Sequence, residues 1–469
     1  MSTTNGETKA PMRRVALASC AGTTIEFYDF FVYGTAAALV FPKIFFPALG
    51  ESAGTVASFA TFAVAFGTRP LGAVLFGHFG DRLGRKKTLI STLLLMGIAT
   101  ILIGCLPTAG AIGVAAPILL VVLRIAQGLA VGGEWAGATL LAAEYAPAEK
   151  RGLYGIFPQV GPALAFALSS ATFLVVNLFV GDASPAFVEW GWRVPFILSA
   201  LLLAVGLYVR LAIEETPMFK KAERSQVGTA RNSDSPLIGA FKYQWREIML
   251  AAGSLTMLFA FFYIGTAFLT SYGTKTMGLS RSTVLTFGVC STVVFGGATI
   301  LSGIYSDRVG RKRVVLGACV VSVPWSLIMF PLLNTGSAFA FAIVLMTTLA
   351  IFGAAYGPVG ALLPEMFQTR YRYTGAGTAY NLAGAIGGGT APILAADLSA
   401  SYGGTSVGFM LASFGILSVV CSLALPETRH RSMEPGAEEH VVLSGVPRRG
   451  VLDSGELDSA AAGGTDPAG

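Results

Sequence analysis

The sequence predicts an all-α integral membrane protein, with twelve transmembrane helices arranged as two six-helix pseudo-repeats. Three observations predict it. Of the 469 residues 54% are hydrophobic and only 12% are charged, against about 25% charged in a soluble domain. The apolar residues gather into runs long enough to cross a bilayer, for which about 20 residues are needed. The stretch "GHFGDRLGRKK" at 77–87 returns as "GIYSDRVGRKR" at 303–313, each after the second apolar run of its half.

Breaking the runs at charge clusters and at Pro or Gly turns places the first six spans near 15–40, 55–79, 88–106, 117–141, 153–179 and 193–212. The other six fall near 248–271, 282–304, 314–333, 338–362, 373–396 and 406–425. The domains follow: an N-terminal tail 1–14, a bundle 15–212, a linker 213–246, a second bundle 247–427 and a tail 428–469. The linker contains "ERSQVGTARNSDSP", with a short helix expected around Phe219–Arg224. The tail is rich in Gly, Ala, Ser, Asp and Glu and lacks heptads, which reads as disorder. No cleavable leader is expected, because Glu26 and Asp29 interrupt the first span. The cysteines Cys20, Cys105, Cys290, Cys319 and Cys421 stand singly in apolar runs and read as small hydrophobes.

Cations set the orientation. One set of loops carries Arg13, Arg14, Arg82, Arg85, Lys86, Lys87, Lys150, Arg151, Arg308, Arg311, Lys312, Arg313 and the basic linker. The opposite set holds only Lys43, Arg193, Lys275 and Arg281. The positive-inside rule then puts both termini and the linker in the cytoplasm of a cell-membrane protein. The net charge of +6 is topological, and no nucleic-acid partner is expected.

In the repeated loops Gly77, Asp81, Arg82, Gly84 and Arg85 match Gly303, Asp307, Arg308, Gly310 and Arg311 one for one. A basic loop explains the arginines, but not glycines and an aspartate at identical offsets. Glycine makes the tight turn; the carboxylate and guanidiniums at helix ends form charge-assisted bonds able to lock and release one face of the bundles. Parallel six-span repeats are a transporter signature.

This doubled loop resembles the signature of the major facilitator superfamily. "GTTIEFYDFFVYG" (22–34), "TRPLGAVLFGHFGDRLGRKK" (68–87), "RIAQGLAVGGEWAGA" (124–138), "EETPMF" (214–219) and "LPEMFQTRYRYTGAGTAYNLAGAIGGGTAP" (363–392) are similar to its metabolite–proton symporter branch. That branch includes carriers of shikimate, 2-oxoglutarate, citrate, and proline or glycine betaine. The resemblance covers about residues 12–427. It implies the major facilitator fold, alternating access, a small-molecule substrate and a proton as ligands, no cofactor beyond the proton gradient, no metal, and a monomer.

Deep ionisable residues are few: Glu26, Asp29, Arg69, Arg124 and Glu134, all in the first half. A charge at mid-membrane costs roughly 2.5–3.5 kcal/mol on an insertion scale. At 1.5 Å per residue, Arg69 lies roughly 18 Å, Glu26 roughly 17 Å and Glu134 roughly 15 Å from the cytoplasmic side. Glu26, Asp29, Phe30 and Tyr33 share one helix face. The acids are candidates for carrying the coupled proton and Arg69 for holding a substrate carboxylate; the same residues would also serve as a packing network among spans 1, 2 and 4. Arg210, Glu365 and Asp397, near span ends, read as interfacial. Gly128, Gly132 and Gly133 give small-residue spacing for close helix approach. Arg124 and Gln127 resemble the fourth-span R-x-x-Q-G motif of proton-linked members, which implies a coupling role for Arg124. In the second half Tyr263, Tyr356 and Asn381 are candidate substrate contacts or packing residues.

The expected activity is proton-coupled uptake of a small organic acid. A proline- or betaine-type osmolyte symporter is the alternative. A drug–proton antiporter is disfavoured, because "GPALAF" (161–166) keeps only part of the G-P-x-x-G-G stretch. An enzyme is excluded by the lack of a soluble catalytic domain, a P-loop or HExxH.

Overall fold

The computed structural model describes residues 12–83, 85–132, 139–140, 143, 146–181, 184–212, 236–368, 371–429 and 431, without the side chains of 12–18, 74, 77–83, 85–87, 89, 148, 209–210, 212 and 236–238. Among these residues twelve helical spans follow one another. In the first half they are α1 (Met12–Leu39), α2 (Gly50–Leu83), α3 (Arg85–Cys105), α4 (Ala115–Val131), α5 (Arg151–Val180) and α6 (Arg193–Ala212). In the second half, α7 runs from Pro236–Tyr263 through a π turn at Ile264–Phe268 into Leu269–Lys275. Then come α8 (Arg281–Val309), α9 (Arg311–Leu333) and α10 (Ala338–Met366). α11 runs from Arg372–Ala383 through a π turn at Gly384–Gly389 into Thr390–Tyr402, and α12 is Gly404–Ala424.

Eight of these helices are long and apolar enough to cross a membrane on length and hydropathy alone. α1 carries two acids, α3 and α4 are shorter apolar segments, and α11 is rich in Gly, Thr and Ala. α1 is buried along most of its described side chains, whereas α3 and α4 also face outward through Ile98, Leu102, Ile118 and Val122. Other helices carry the rest of the apolar outer face. Phe179, Val293 and Leu301 are mostly exposed, and together with Leu164, Leu201 and Val320 they would form an apolar surface no water-soluble protein tolerates. α7 is the most interior of the eight: 83% of its most apolar window is buried, against 33–56% for the others.

Small residues set the helix spacing. A Cβ on Gly128 would strike Thr68 and the Ala65 carbonyl, and one on Gly132 the Arg69 carbonyl. α4 therefore lies directly on α2, as the glycine spacing predicts; Gly133 lies outside the described residues. The run Gly384–Gly389 does the same for α11, bringing it against Tyr263 and Phe259 of α7 and Phe66 of α2. Of the three π turns among the described residues, one, Phe187–Gly191, precedes α6, and the other two, Ile264–Phe268 and Gly384–Gly389, lie in the second half and face the interior; such single widened turns favour functional sites.

α7 starts at Pro236, inside the stretch assigned to the linker from sequence, and breaks at Gln244 (φ −130°, ψ 24°). A short helix thus leads into the span. The expected helix at Phe219–Arg224 lies outside the described residues, as does nearly all of the terminal tail. The chain beyond Leu425 stays docked for several residues: Glu427 accepts from the Arg311 amide (2.8 Å), Thr428 donates to Glu365 (2.7 Å), and Arg151 donates to the Arg431 carbonyl (2.8 Å).

The two repeated loops share their helix boundaries. α2 ends at Leu83 and α3 starts at Arg85; α8 ends at Val309 and α9 starts at Arg311. In the second, Gly310 adopts φ 110°, a left-handed conformation that favours glycine, so the chain reverses in a single residue. Gly84 and the side chains of Asp81, Arg82 and Arg85 lie outside the described set, and of Gly77 only its helical backbone is described. Asp307 reaches across to the other half. It accepts from the amides of Gly152 (2.9 Å) and Leu153 (3.0 Å), the first turn of α5, and pairs with Arg311 (2.8 Å). Two amides that a helix start leaves without partners are thereby satisfied, and a negative charge sits at the positive end of the helix dipole. Gly152 and Gly303 make this possible by letting α5 and α8 approach backbone to backbone.

Arg311 also reaches Glu365 (3.4 Å), which has Arg151 at 3.8 Å. Glu365 is buried, not interfacial as expected from its place near a span end. Its partners come from α9 and α5, far away in sequence, so no local pattern revealed them. Asp397 is exposed, as expected, and the side chain of Arg210 lies outside the described residues.

Asp307→Asn is expected to loosen this closure. Hydrogen bonds to a charged group contribute about 1.5–3 kcal/mol, so the ratio of closed to open carrier should fall by roughly ten- to 150-fold. Labelling of a cysteine placed at Ile156, which packs on Gly303, in a background without the native cysteines, reads the change. Increased labelling supports the role; unchanged labelling refutes it.

Candidate functional site

The face of α1 bearing Glu26, Asp29, Phe30 and Tyr33 points into the bundle, and each of these residues is buried. α2 presents Phe62, Phe66 and Arg69 at the same depth, and α4 presents Arg124 and Gln127. The close α2–α4 approach sets the two arginines near one another.

Arg124 is wholly enclosed. It donates to Gln127 Oε1 (2.7 Å) and to the Phe62 carbonyl (3.2 Å), and Gln127 donates onward to Thr100 Oγ1 of α3 (2.7 Å). The Arg124 guanidinium lies 3.8 Å from the centre of the Tyr33 ring and 5.1 Å from that of Phe62. The Tyr33 hydroxyl is tied to Thr61 (2.6 Å). Asp29 sits beside Thr100 and within the field of Arg124 and Glu26. The fourth-span arginine thus anchors a polar chain across α2, α3 and α4, and faces one carboxylate of α1.

Arg69 is held differently. Its guanidinium lies over the rings of Phe30 (4.6 Å) and Phe66 (4.3 Å), which meet edge-on at 60°, and against Tyr263 of α7. Stacked guanidiniums keep their edge donors available, which a planar fork can offer to a carboxylate. Glu26 borders the same space, near Tyr263.

Among the described residues the central charges are two carboxylates, Glu26 and Asp29, and two guanidiniums, Arg69 and Arg124. Glu134 lies outside the described residues. The second half contributes aromatic and polar groups. Tyr263 packs edge-on to Phe62 (5.2 Å) and Phe66 (5.1 Å). Tyr356 of α10 meets Tyr380 of α11, hydroxyl to hydroxyl, at 3.2 Å. Asn381 donates to the Gly132 carbonyl (3.1 Å), and so joins α11 to the end of α4 rather than facing the arginines.

Contacts between the halves lie on both sides of this centre. On one side are the Asp307 and Asn381 contacts. On the other, Lys275 donates to Thr55 (2.8 Å) and Arg281 to Asn177 (3.1 Å). The interior between them is filled by Phe27, Phe31, Phe62, Phe66 and Phe262. Two recesses open on outer helices, one beside Tyr305 and one beside Phe179, away from the charges. Sequence reasoning missed Thr61, Thr100, Gln159 and Tyr380. Each is a single polar residue in an apolar run, and only its partners mark it.

Comparison with known proteins gives this arrangement its place. The family model of the Major Facilitator Superfamily matches residues 20–392. The inner membrane metabolite transport protein YhjE of Escherichia coli K12 is 42% identical, over 90% of this chain and 95% of its own. The shikimate transporter of the same organism is 38% identical, over 89% and 95%, and its proline/betaine transporter 32% identical, over 90% and 85%. The crystal structure of a D-xylose–proton symporter superimposes with a TM-score of 0.69 over 90% of this chain and all of the other, at 19% identity, which shows the shared fold. The chain is a multi-pass membrane transporter, not an enzyme, and belongs to the major facilitator superfamily in its branch of metabolite carriers.

Proposed function

We propose that this carrier takes up a small organic acid together with a proton by alternating access, with both termini in the cytoplasm. The observation that carries the reading is the set of buried charges among the described residues of the centre, Glu26 and Asp29 of α1 beside Arg69 and Arg124. An ion in a low-dielectric interior costs several kcal/mol unless it is paired. A monocarboxylate arriving at Arg69 adds one buried negative charge. Protonating Glu26 or Asp29 offsets it, so binding the acid and binding the proton favour each other. The occupied site then carries no more net charge than the empty one as it crosses between the two faces. Arg69 offers its fork to the carboxylate; Arg124, already committed to Gln127 and Phe62, holds the network and the field on Asp29.

A zwitterionic osmolyte is the second reading, supported by the proline/betaine relatives. It brings no net charge, so it gives no electrostatic reason for a proton to accompany it.

Glu26→Gln or Asp29→Asn is expected to abolish accumulation against a gradient while preserving part of the exchange of preloaded substrate, because the amide imitates the protonated acid. Full accumulation by both variants would remove these acids from coupling. Arg69→Lys keeps the charge but loses the stacked fork, and should weaken acid binding by about 1.5–3 kcal/mol; unchanged affinity would make Arg69 structural. For the orientation, a thiol placed at Thr276 should react with an impermeant reagent added outside intact cells, and one at Gln226 should not. The reverse pattern would invert the topology.

A further inference from the structure

The hydrogen-bond chain that starts at Arg124 has a fixed direction. A guanidinium only donates, so Gln127 must turn its amide oxygen toward Arg124 (2.7 Å) and its nitrogen toward Thr100 (2.7 Å). The Thr100 oxygen therefore accepts from Gln127 and keeps one proton to give and one lone pair to offer. The hydroxyl donates to the Met96 carbonyl, one turn back on α3 (3.0 Å). That carbonyl also serves the helix ladder, so it loses little when the hydroxyl turns away. Arg124, Gln127 and Thr100 are all buried, and Asp29 of α1, itself buried, comes up to the same hydroxyl. The ionisable groups that face Asp29 among the described residues are Glu26 and Tyr28 of its own helix and Arg124 of α4.

A buried carboxylic acid needs an acceptor for its O–H, and a buried carboxylate needs a donor. Arginine and lysine meet only the second need, and a carbonyl meets only the first. A hydroxyl meets both. When Asp29 is protonated, its O–H donates to the remaining lone pair of Thr100, whose own proton stays on the Met96 carbonyl. When Asp29 is ionised, the Thr100 hydroxyl rotates away from Met96 and donates to the carboxylate. Thr100 neither gains nor loses a proton: the proton is bound and released by an oxygen of Asp29 alone. Gln127 holds the Thr100 oxygen through both states, and Arg124 holds Gln127.

We propose that Thr100 is a positioning residue of the proton step, a two-way partner that keeps Asp29 hydrogen-bonded both when it holds the coupled proton and when it has released it, with Gln127 as its clamp. This rests on the reading that an acid of α1 carries the proton. Loading and unloading then leave no member of the buried chain without a partner, and the only movement they require is the turn of one hydroxyl.

The test is infrared difference spectroscopy, acid minus alkaline buffer, on the purified full-length carrier in nanodiscs. The wild type should show a carboxyl carbonyl band that vanishes in Asp29→Asn. Thr100→Val keeps the shape of the side chain but removes the hydroxyl, and should move the band to higher wavenumber, as for a carboxyl that has lost its hydrogen bond. Thr100→Ser returns the hydroxyl and should return the band, a rescue that a merely structural threonine does not give. Thr100→Ala carries the test if the valine variant is not monodisperse by size exclusion. In proteoliposomes, shikimate accumulation driven by an imposed pH gradient should fall about tenfold in Thr100→Val and recover in Thr100→Ser. The same band position in wild type and Thr100→Val, or no band that depends on Asp29, would overturn the proposal. The spectrum needs no substrate, so it separates this proposal from the acid-uptake reading: if the wild type accumulates no shikimate while the band behaves as stated, the failure lies with the substrate and the role of Thr100 stands.

Discussion

Burying two guanidiniums between membrane helices is the constraint on which the centre of this protein depends. The effective penalty for each ion is several kcal/mol before compensation, and the surroundings of Arg69 and Arg124 supply that compensation by different means. Arg124 receives a carbonyl, an amide oxygen and the face of Tyr33. Arg69 receives two phenylalanine faces. Glu26 and Asp29 of α1 bring negative charge to the same region. Each guanidinium has a buried Nε with no hydrogen-bond partner among the described residues, and Arg69 is the one whose role as an anion site is proposed above.

The same economy of charge governs the closed face. Asp307 satisfies the first amides of α5 in the opposite half, and Arg311, Glu365 and Arg151 continue the bridge. None of these bonds is local to one helix. Moving the halves apart would break several of them together, a pattern that favours discrete states over a graded opening. Glu427 reinforces the turn at Gly310 by accepting from the first amide of α9, so the start of the terminal tail is part of the closure.

Much of this was legible in the sequence. The doubled loop fixed the repeat, and its helix boundaries recur residue for residue at Leu83/Arg85 and Val309/Arg311. Glu26, Asp29 and Arg69 announced themselves because a charge in an apolar run is costly, and Gly128 because small residues at helical spacing predict close approach. What stayed hidden depends on partners distant in sequence. Glu365 looked interfacial because its arginines are on α5 and α9. Tyr380, next to Asn381, gave no periodic signal, and only the fold sets it against Tyr356 while turning Asn381 toward Gly132. The π turns at Ile264–Phe268 and Gly384–Gly389 leave no mark beyond a run of glycines in the second.

The central claim is that each acid anion that binds brings a proton into the site with it. Calorimetry of acid binding to the wild-type carrier, repeated in buffers of different ionisation enthalpy near neutral pH, measures the protons taken up with the ligand. The account predicts uptake of about one proton for each monocarboxylate bound, since one buried negative charge must be neutralised. A binding enthalpy independent of the buffer, with the acid bound as its anion, would contradict it.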